Sequence, residues 1–148
     1  MPSRIQFDRL WMDFADRVSR MSHDPSTKVG AVVVRDDRQI SIGYNGMPRG
    51  IPEPDWLWER PTKYRAVIHA EVNAVSNAPF DTRGCTVYIT HQPCPACLGK
   101  LINAGIARVV YAEPYSRMPP EDLAIWQFIV EHWNGDMEHL PLSAKDLL

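Results

Sequence analysis

Long apolar runs are missing from this chain. No stretch approaches the roughly 18 to 20 residues that a membrane-spanning helix needs, and the first residues carry no apolar signal-peptide core. The expectation is a protein that is neither embedded nor exported. Positive charge is not in excess either. Lysine and arginine number 16 against 18 aspartates and glutamates, for a formal net charge of −2, whereas a polynucleotide-tracking chain is expected to carry a basic groove or stripe. Cysteine is scarce, 3 in 148 residues. Two of them fall at a metal-type spacing described below. That leaves Cys85 without a disulfide partner and favours a reducing compartment, so a cytoplasmic location is expected. Internal repeats and low-complexity tracts are also missing. With 45% hydrophobic and 23% charged residues, the composition fits a single globular domain over residues 1–148.

What is present is an alternation of helical and extended patterns. Phe7, Leu10, Trp11, Phe14, Val18 and Met21 recur at helical spacing, which predicts an amphipathic helix ending near Ser22. Val29–Val34 and Ile40–Tyr44 are apolar, β-rich runs joined by Asp36-Asp37-Arg38, the pattern of a hairpin. A helical pattern runs from His69 to Ala78, and another helix is expected just after Pro93 and Pro95. Thr86–Thr90 and Ala107–Tyr111 each follow a helical stretch, which predicts parallel strands with crossover helices. Leu123–Trp133 reads as a last helix stopped by Asn134-Gly135, with a short strand over Met137–Leu140. Between Asn45 and Val67 the chain is proline-rich and poorly periodic, with Trp56 and Trp58 set among Pro48, Pro52, Pro54 and Pro61. It reads as a long ordered loop, either a lid or partner-contacting segment or a loop pinned to the surface by its two tryptophans.

Chemistry concentrates in two short motifs, His69-Ala70-Glu71 and Pro93-Cys94-Pro95-Ala96-Cys97. One imidazole and two thiolates make three protein ligands. A zinc ion held by three ligands keeps a fourth position open for water or substrate, unlike a structural finger. Residues two apart do not share a helix face, so His69 and Glu71 can address one centre only from an open first turn. The helical pattern places them there. Cys94 stands at the start of the next helix, where unpaired N–H groups favour thiolate. Glu71 is the expected proton carrier. Alone, Cys-x-x-Cys also fits a redox pair or half of a structural zinc knuckle; with His-x-Glu upstream, the order matches the general pattern of the zinc deaminases. Cys85 opens a strand and reads as a small buried apolar residue. His23, His91, His132 and His139 lack such spacing and read as structural or surface residues.

A more specific resemblance follows from Gly43-Tyr44-Asn45-Gly46-Met47-Pro48-Arg49-Gly50, together with His69-Ala70-Glu71-Val72-Asn73-Ala74, the Pro93–Cys97 motif and Lys28-Val29-Gly30-Ala31. From about Phe7 to Tyr111 the chain resembles the deoxycytidylate (dCMP) deaminase family, and its size resembles small viral (phage) or bacterial members, which would place it in a host cytoplasm if viral. The resemblance implies an α/β fold, the cytidine-deaminase-like three-layer α/β/α sandwich with a five-stranded mixed sheet, assembled as a hexamer. It implies hydrolysis of dCMP to dUMP and ammonia, supplying dUMP for thymidylate synthesis. One catalytic Zn2+ per chain would sit on His69, Cys94 and Cys97, since Ile51–Ile68 holds no cysteine or histidine for a second zinc. Glu71 would be catalytic.

By the same resemblance, Asn45 would hydrogen-bond sugar or base, although Asn45-Gly46 is also a common turn pair. Ser22, Ser26 and Lys28 are candidates for the phosphate because they lie between the first helix and the first strand. Tyr115 either closes over the substrate or is a packed surface tyrosine. Activation by dCTP and inhibition by dTTP would act through Gly43, Tyr44, Asn45, Gly46 and Arg49, with Arg49 meeting phosphates in company with Mg2+; the glycines equally shape a turn. Beyond Tyr111 the run Glu113–Pro120 lacks the family's usual serine and aspartate pattern. Alternatives are a dCTP or dual dCMP/dCTP deaminase, a polynucleotide deaminase acting on tRNA or single-stranded DNA, and a non-catalytic zinc module. Net charge argues against the polynucleotide enzyme, and Glu71 against the module. Ile125, Trp126, Ile129 and Val130 of the last helix fit subunit contacts or a monomer core.

Overall fold

Residues 1–142 are described by a computed structural model. The first helix, α1 (Arg4–Ser19), opens with a capping box: the Ser3 hydroxyl accepts from Gln6 N–H and the Gln6 side chain accepts from Ser3 N–H. The cap starts the helix one turn before the apolar spacing does, and the helix ends at Ser19, before Ser22. Trp11, Met12, Ala15 and Val18 are buried, whereas Leu10 and Met21, expected on the same face, are exposed. The buried stripe instead includes Asp8, whose carboxylate accepts from Tyr88 Oη and from both Arg108 Nη atoms.

β1 (Gly30–Arg35) and β2 (Arg38–Tyr44) form the expected hairpin. Asp36 and Asp37 carry φ of 50° and 56°, the left-handed pair of a tight two-residue turn whose twist matches that of the strands. β3 (Thr86–His91), β4 (Arg108–Glu113) and β5 (Asp136–His139) complete a sheet in the order β2-β1-β3-β4-β5. β1 pairs antiparallel with β3, while β3–β4 and β4–β5 are parallel. The parallel steps are bridged by α4 (Pro95–Asn103) and α5 (Pro120–His132), and α3 (Ala70–Ser76) precedes β3. This is the five-stranded mixed sheet expected of the cytidine-deaminase-like fold.

Strand alternation divides the core between two helical layers. Ala31, Val33, Val87, Ile89 and Val109 pack with Ala70, Ala74 and Leu101 on one face. Val32, Val34, Tyr88 and Val110 pack with Trp11, Met12 and Ala15 of α1 on the other. Cys85 is fully buried in the first cluster, and burial pushes its thiol pKa up, as befits a small apolar residue. Two glycines let the layers close. A Cβ on Gly30 would lie 2.0 Å from the Ala15 carbonyl oxygen, and one on Gly43 would lie 2.3 Å from Ala74 N.

The segment between β2 and α3 is not the irregular loop its sequence suggests. Gly46 and Ile68 exchange both backbone hydrogen bonds, at 3.1 and 2.8 Å, closing it into a strap. Within it lie a 3-10 turn, Asp55–Trp58, and a four-residue helix, α2 (Lys63–Ala66). Elements of one turn are too short to show periodicity. Nor do its tryptophans pin it: Trp56 is 61% exposed, and Trp58 Nε1 donates to Glu53 within the strap. On α5 only Trp126 is buried, whereas Leu123, Ile125 and Phe128 face solvent. β5 begins one residue before the expected strand. No helix among the described residues is long and apolar enough to cross a membrane.

Candidate metal centre and cleft

His69 is the N-cap of α3 and Cys94 the N-cap of α4. Both have the extended backbone usual at an N-cap, His69 with ψ of 154° and Cys94 with ψ of 163°. Cys97 follows one turn into α4, where Pro95 occupies the first turn without wasting an N–H. The two helix starts meet. His69 Nδ1 lies 3.0 Å from Cys97 Sγ and 3.7 Å from Cys94 Sγ, and the three donor atoms lie within 4.8 Å of one another. Zinc–nitrogen and zinc–sulfur bonds at a tetrahedral angle would separate N and S by about 3.6 Å, so these spacings fit the ion.

The thiols behave as a pair. Cys94 is lowered to about 4, first by the hydrogen bond from the Cys97 thiol and then by His69, while Cys97 is pushed up by that same bond and by burial. One proton is shared and one thiolate forms readily, the state a metal completes by displacing the second proton. The neighbouring Cys94 thiolate raises the His69 imidazole.

Glu71 is the second residue of α3, in its first turn, 3% exposed, with Oε1 3.9 Å from His69 Nδ1. Burial raises its carboxyl pKa above the ordinary 4.5. Oε1 has no hydrogen-bond partner among the described residues. A buried carboxylate oxygen left unpaired costs free energy unless something polar arrives to meet it. Three soft and borderline donors with one orphaned oxygen beside them fit a zinc ion with an open position for water.

The group opens into a cleft of about 680 Å³. His69 and Cys94 line one end of it, with Glu71 beside them; the strap contributes Arg60, Lys63, Tyr64 and Val67, and the segment after β4 contributes Glu113–Arg117. Asn45, Ser26 and Tyr115 line it as the sequence suggested, Tyr115 with its N–H donated to Gln92 Oε1 at 3.0 Å. The Asn45 side chain is largely committed: Oδ1 accepts from Val29 N–H, and Nδ2 donates to the Thr27 carbonyl and to Asp24 Oδ2. Ser22 and Lys28 do not line the cleft. The Ser22 hydroxyl donates to the Asn45 carbonyl, and the Lys28 ammonium turns back to the Ser22 carbonyl.

Of the proposed regulatory residues, Gly43 is filled on one side by α3, the Tyr44 carbonyl accepts from Asn73 Nδ2, and Arg49 donates to Asn77 Oδ1. Gly46 ends the strap, and only Asn45 of this set reaches the cleft. His91, which sequence treats as structural or surface, lines the cleft at the end of β3. Burial lowers its pKa, partly opposed by Glu113 at 3.7 Å. Asp24, Arg60, Lys63, Gln92 and Arg117 were not anticipated. Four belong to loops and Lys63 to the one-turn α2, where no periodicity marks a residue, and only folding collects them.

Residues 5–113 match the family model described as the cytidine and deoxycytidylate deaminase zinc-binding region. An uncharacterized deaminase of Aliivibrio fischeri is 42% identical over 105 residues, 71% of each chain. The human deoxycytidylate deaminase is 36% identical over 115 residues, covering 72% of this chain and 65% of that protein, so the chain spans about two thirds of that relative's length. The structure of the cyanophage S-TIM5 dCMP deaminase in complex with dCMP and dUMP superposes with a TM-score of 0.73 at 26% identity, over 95% of this chain and 99% of that one.

Proposed function

The chain belongs to the cytidine and deoxycytidylate deaminase family, defined by its zinc-binding region, and from that premise we propose that it hydrolyses dCMP to dUMP and ammonia, supplying dUMP for thymidylate synthesis. The observation that carries the reading is the buried Glu71 carboxylate, its Oε1 unpaired, beside His69, Cys94 and Cys97 at the end of a cleft with Arg60 and Arg117 on its walls. A carboxylate kept buried at a cost has no use in a purely structural zinc module. Relatives named for deoxycytidylate, and the neighbour bound to dCMP and dUMP, support the nucleotide.

His69, Cys94 and Cys97 would hold one Zn2+, which when bound acidifies a water at its open position. Glu71 accepts the proton of the water that attacks C4 of the cytosine ring and passes it to N3. It then takes the remaining hydroxyl proton and gives it to the amine, so that the C4–N bond breaks, ammonia leaves and a C4 carbonyl remains. Burial favours the protonated carboxyl that exists while each proton is carried. Tyr64, Tyr115 and Val67 on the cleft walls offer apolar surface to the ring.

Regulation by dCTP and dTTP would act at the Gly43–Arg49 segment, most of which lies outside the cleft lining. No second group of three metal-type side chains occurs among the described residues, and nothing beside Arg49 supports Mg2+. The exposed Leu123, Ile125 and Phe128 on α5 support a homo-oligomer, and the substrate class supports a cytoplasmic site of action. Ammonia release from dCMP, dCTP, deoxycytidine and a cytosine oligonucleotide, with and without dCTP and dTTP as effectors, tests the whole reading. Turnover fastest with dCMP and slower with deoxycytidine is expected; preference for dCTP or for the oligonucleotide would overturn it.

A further inference from the structure

Four residues of the cleft wall form a relay that ends on one side chain. Asp24 is buried and accepts from Ser26 N–H at 2.9 Å, Thr27 N–H at 3.1 Å and Asn45 Nδ2 at 3.3 Å. Burial alone would raise its pKa, but these N–H groups and the Lys63 ammonium together bring it below the usual value. Lys63, with its side chain 4% exposed, donates to Asp24 Oδ1 and Oδ2 at 3.2 and 3.0 Å and to Ser26 Oγ at 3.0 Å. An ammonium has three protons. All are committed within the protein, so Lys63 has no proton left for a ligand.

Ser26 is equally saturated. Its hydroxyl donates to Asp24 Oδ1 and accepts from Lys63 Nζ and from Arg60 Nη2 at 3.3 Å, and a serine hydroxyl has one proton and two lone pairs. The sequence candidate for the phosphate is therefore already full. Arg60 is not. It is exposed on the cleft wall, its guanidinium 6.0 Å from the Tyr64 ring centroid, and among the described residues only one of its five N–H donors is engaged, in the Ser26 bond. The four-residue α2 cannot hold its own place by helix propensity. The Lys63–Asp24 pair fixes it against the 22–29 loop, and with it the direction in which Arg60 points.

We propose that Arg60 is the residue that selects a phosphorylated substrate, meeting the phosphate of the nucleotide, and that Lys63, Asp24 and Ser26 are positioning residues that act through it. This rests on the mononucleotide reading above. The test compares dCMP with deoxycytidine, which differ only in the phosphate, in the wild type and in Arg60→Ala, Arg60→Lys and Lys63→Met, with zinc content and melting temperature measured on each.

For Arg60→Ala the KM for dCMP should rise roughly 10- to 100-fold, the range for losing a hydrogen bond to a charged group, with kcat within about twofold and deoxycytidine kcat/KM unchanged. Arg60→Lys should recover part of the loss, since it restores charge without the planar fork. Lys63→Met should raise the dCMP KM in the same direction although Arg60 is still present. An equal change for both substrates in Arg60→Ala, or none for dCMP, would overturn the assignment. A wild type inactive on dCMP would instead refute the mononucleotide reading. Thermal shifts then decide the inference without turnover: Arg60→Ala should abolish the extra shift that dCMP gives over deoxycytidine, and an unchanged extra shift, or its absence in the wild type, would sink it.

Discussion

Replacing Asp8 by alanine should remove much of this protein's stability without touching its metal centre. The Asp8 side chain is 7% exposed and sits between α1 and the sheet, accepting from Tyr88 Oη at 2.6 Å, Arg108 Nη1 at 2.9 Å, Arg108 Nη2 at 2.8 Å and Arg4 Nε at 3.1 Å. Tyr88 is 1% exposed and the Arg108 side chain 16%, so neither can turn to water. Removing one member of a buried pair costs about 3–5 kcal/mol, because a charge is left buried and unpaired. Arg108 keeps Glu138, a half-exposed partner, which puts the expected loss at the lower end, about 3 kcal/mol.

An unfolding entropy of about 2.1 cal/mol/K per residue, over 148 residues, gives about 0.3 kcal/mol/K. The melting temperature should therefore fall by roughly 10 °C. Calorimetry and urea unfolding of zinc-loaded protein would measure it. Asp8 belongs to the face packed by α1, whereas α3 lies with the opposite core cluster and α4 contributes Leu101 to it, so zinc per chain should not change. The triple variant Asp8→Leu, Arg108→Met and Tyr88→Phe should recover most of the loss, since neither a buried charge nor the Tyr88 hydroxyl is left unpaired. A loss below about 1 kcal/mol would show the network to be worth no more than a surface pair, and loss of zinc in step with stability would refute the separation of the two faces.

Glu71→Gln should retain zinc and lower kcat roughly 10²- to 10⁴-fold, the usual range for a general acid–base group; turnover near the wild-type rate would remove Glu71 from the mechanism. His69→Ala removes one of three ligands, and metal analysis after dialysis should find little zinc where the parent retains it. Gly43→Ala forces a Cβ to within 2.3 Å of Ala74 N and 2.4 Å of the Ala70 carbonyl oxygen, and should cost roughly 1–3 kcal/mol as the layers part. Gly46→Ala meets nothing within 4 Å and should cost much less, a contrast read directly by chemical denaturation.

Asp8 and Asp24 both have pKa values held below the usual 3.8: burial would raise each, and their hydrogen-bonded cationic and N–H partners outweigh it. A depressed carboxylate contributes stability above the unfolded-state value and loses it as pH falls through the folded one. Stability should thus fall below about pH 4. Asp24→Asn should have a smaller fall there than the wild type in an acid titration followed by circular dichroism.

The legible parts of this molecule are those where neighbours in sequence are neighbours in space. The hairpin at Asp36-Asp37, the helix starts at His69 and Cys94 and the stop at Asn134-Gly135 all rest on local backbone preference, and each stands where spacing placed it. Periodicity was less faithful on α1. It put Leu10 inside and said nothing of Asp8, because an ion pair that spans 100 residues to Arg108 leaves no repeat in the helix that carries one end.

Residue types and spacing by themselves determined the family, the sheet-and-helix order and the set His69, Glu71, Cys94 and Cys97, since a metal's ligand chemistry restricts which side chains can serve and a helix turn restricts how far apart they stand. Tertiary structure alone decided what surrounds them. Ser22, Ser26 and Lys28 were reasonable phosphate candidates by type, yet the two serine hydroxyls are consumed by Asn45, Asp24, Lys63 and Arg60, and Lys28 lies outside the cleft with its ammonium turned to the Ser22 carbonyl. For Ser26, whether a polar group is free depends on which distant groups reach it first, and that competition is settled by packing the strap against the loop before β1, 34 to 39 positions away in the chain; among the described residues Lys28 keeps donors to spare but turns them away from the cleft.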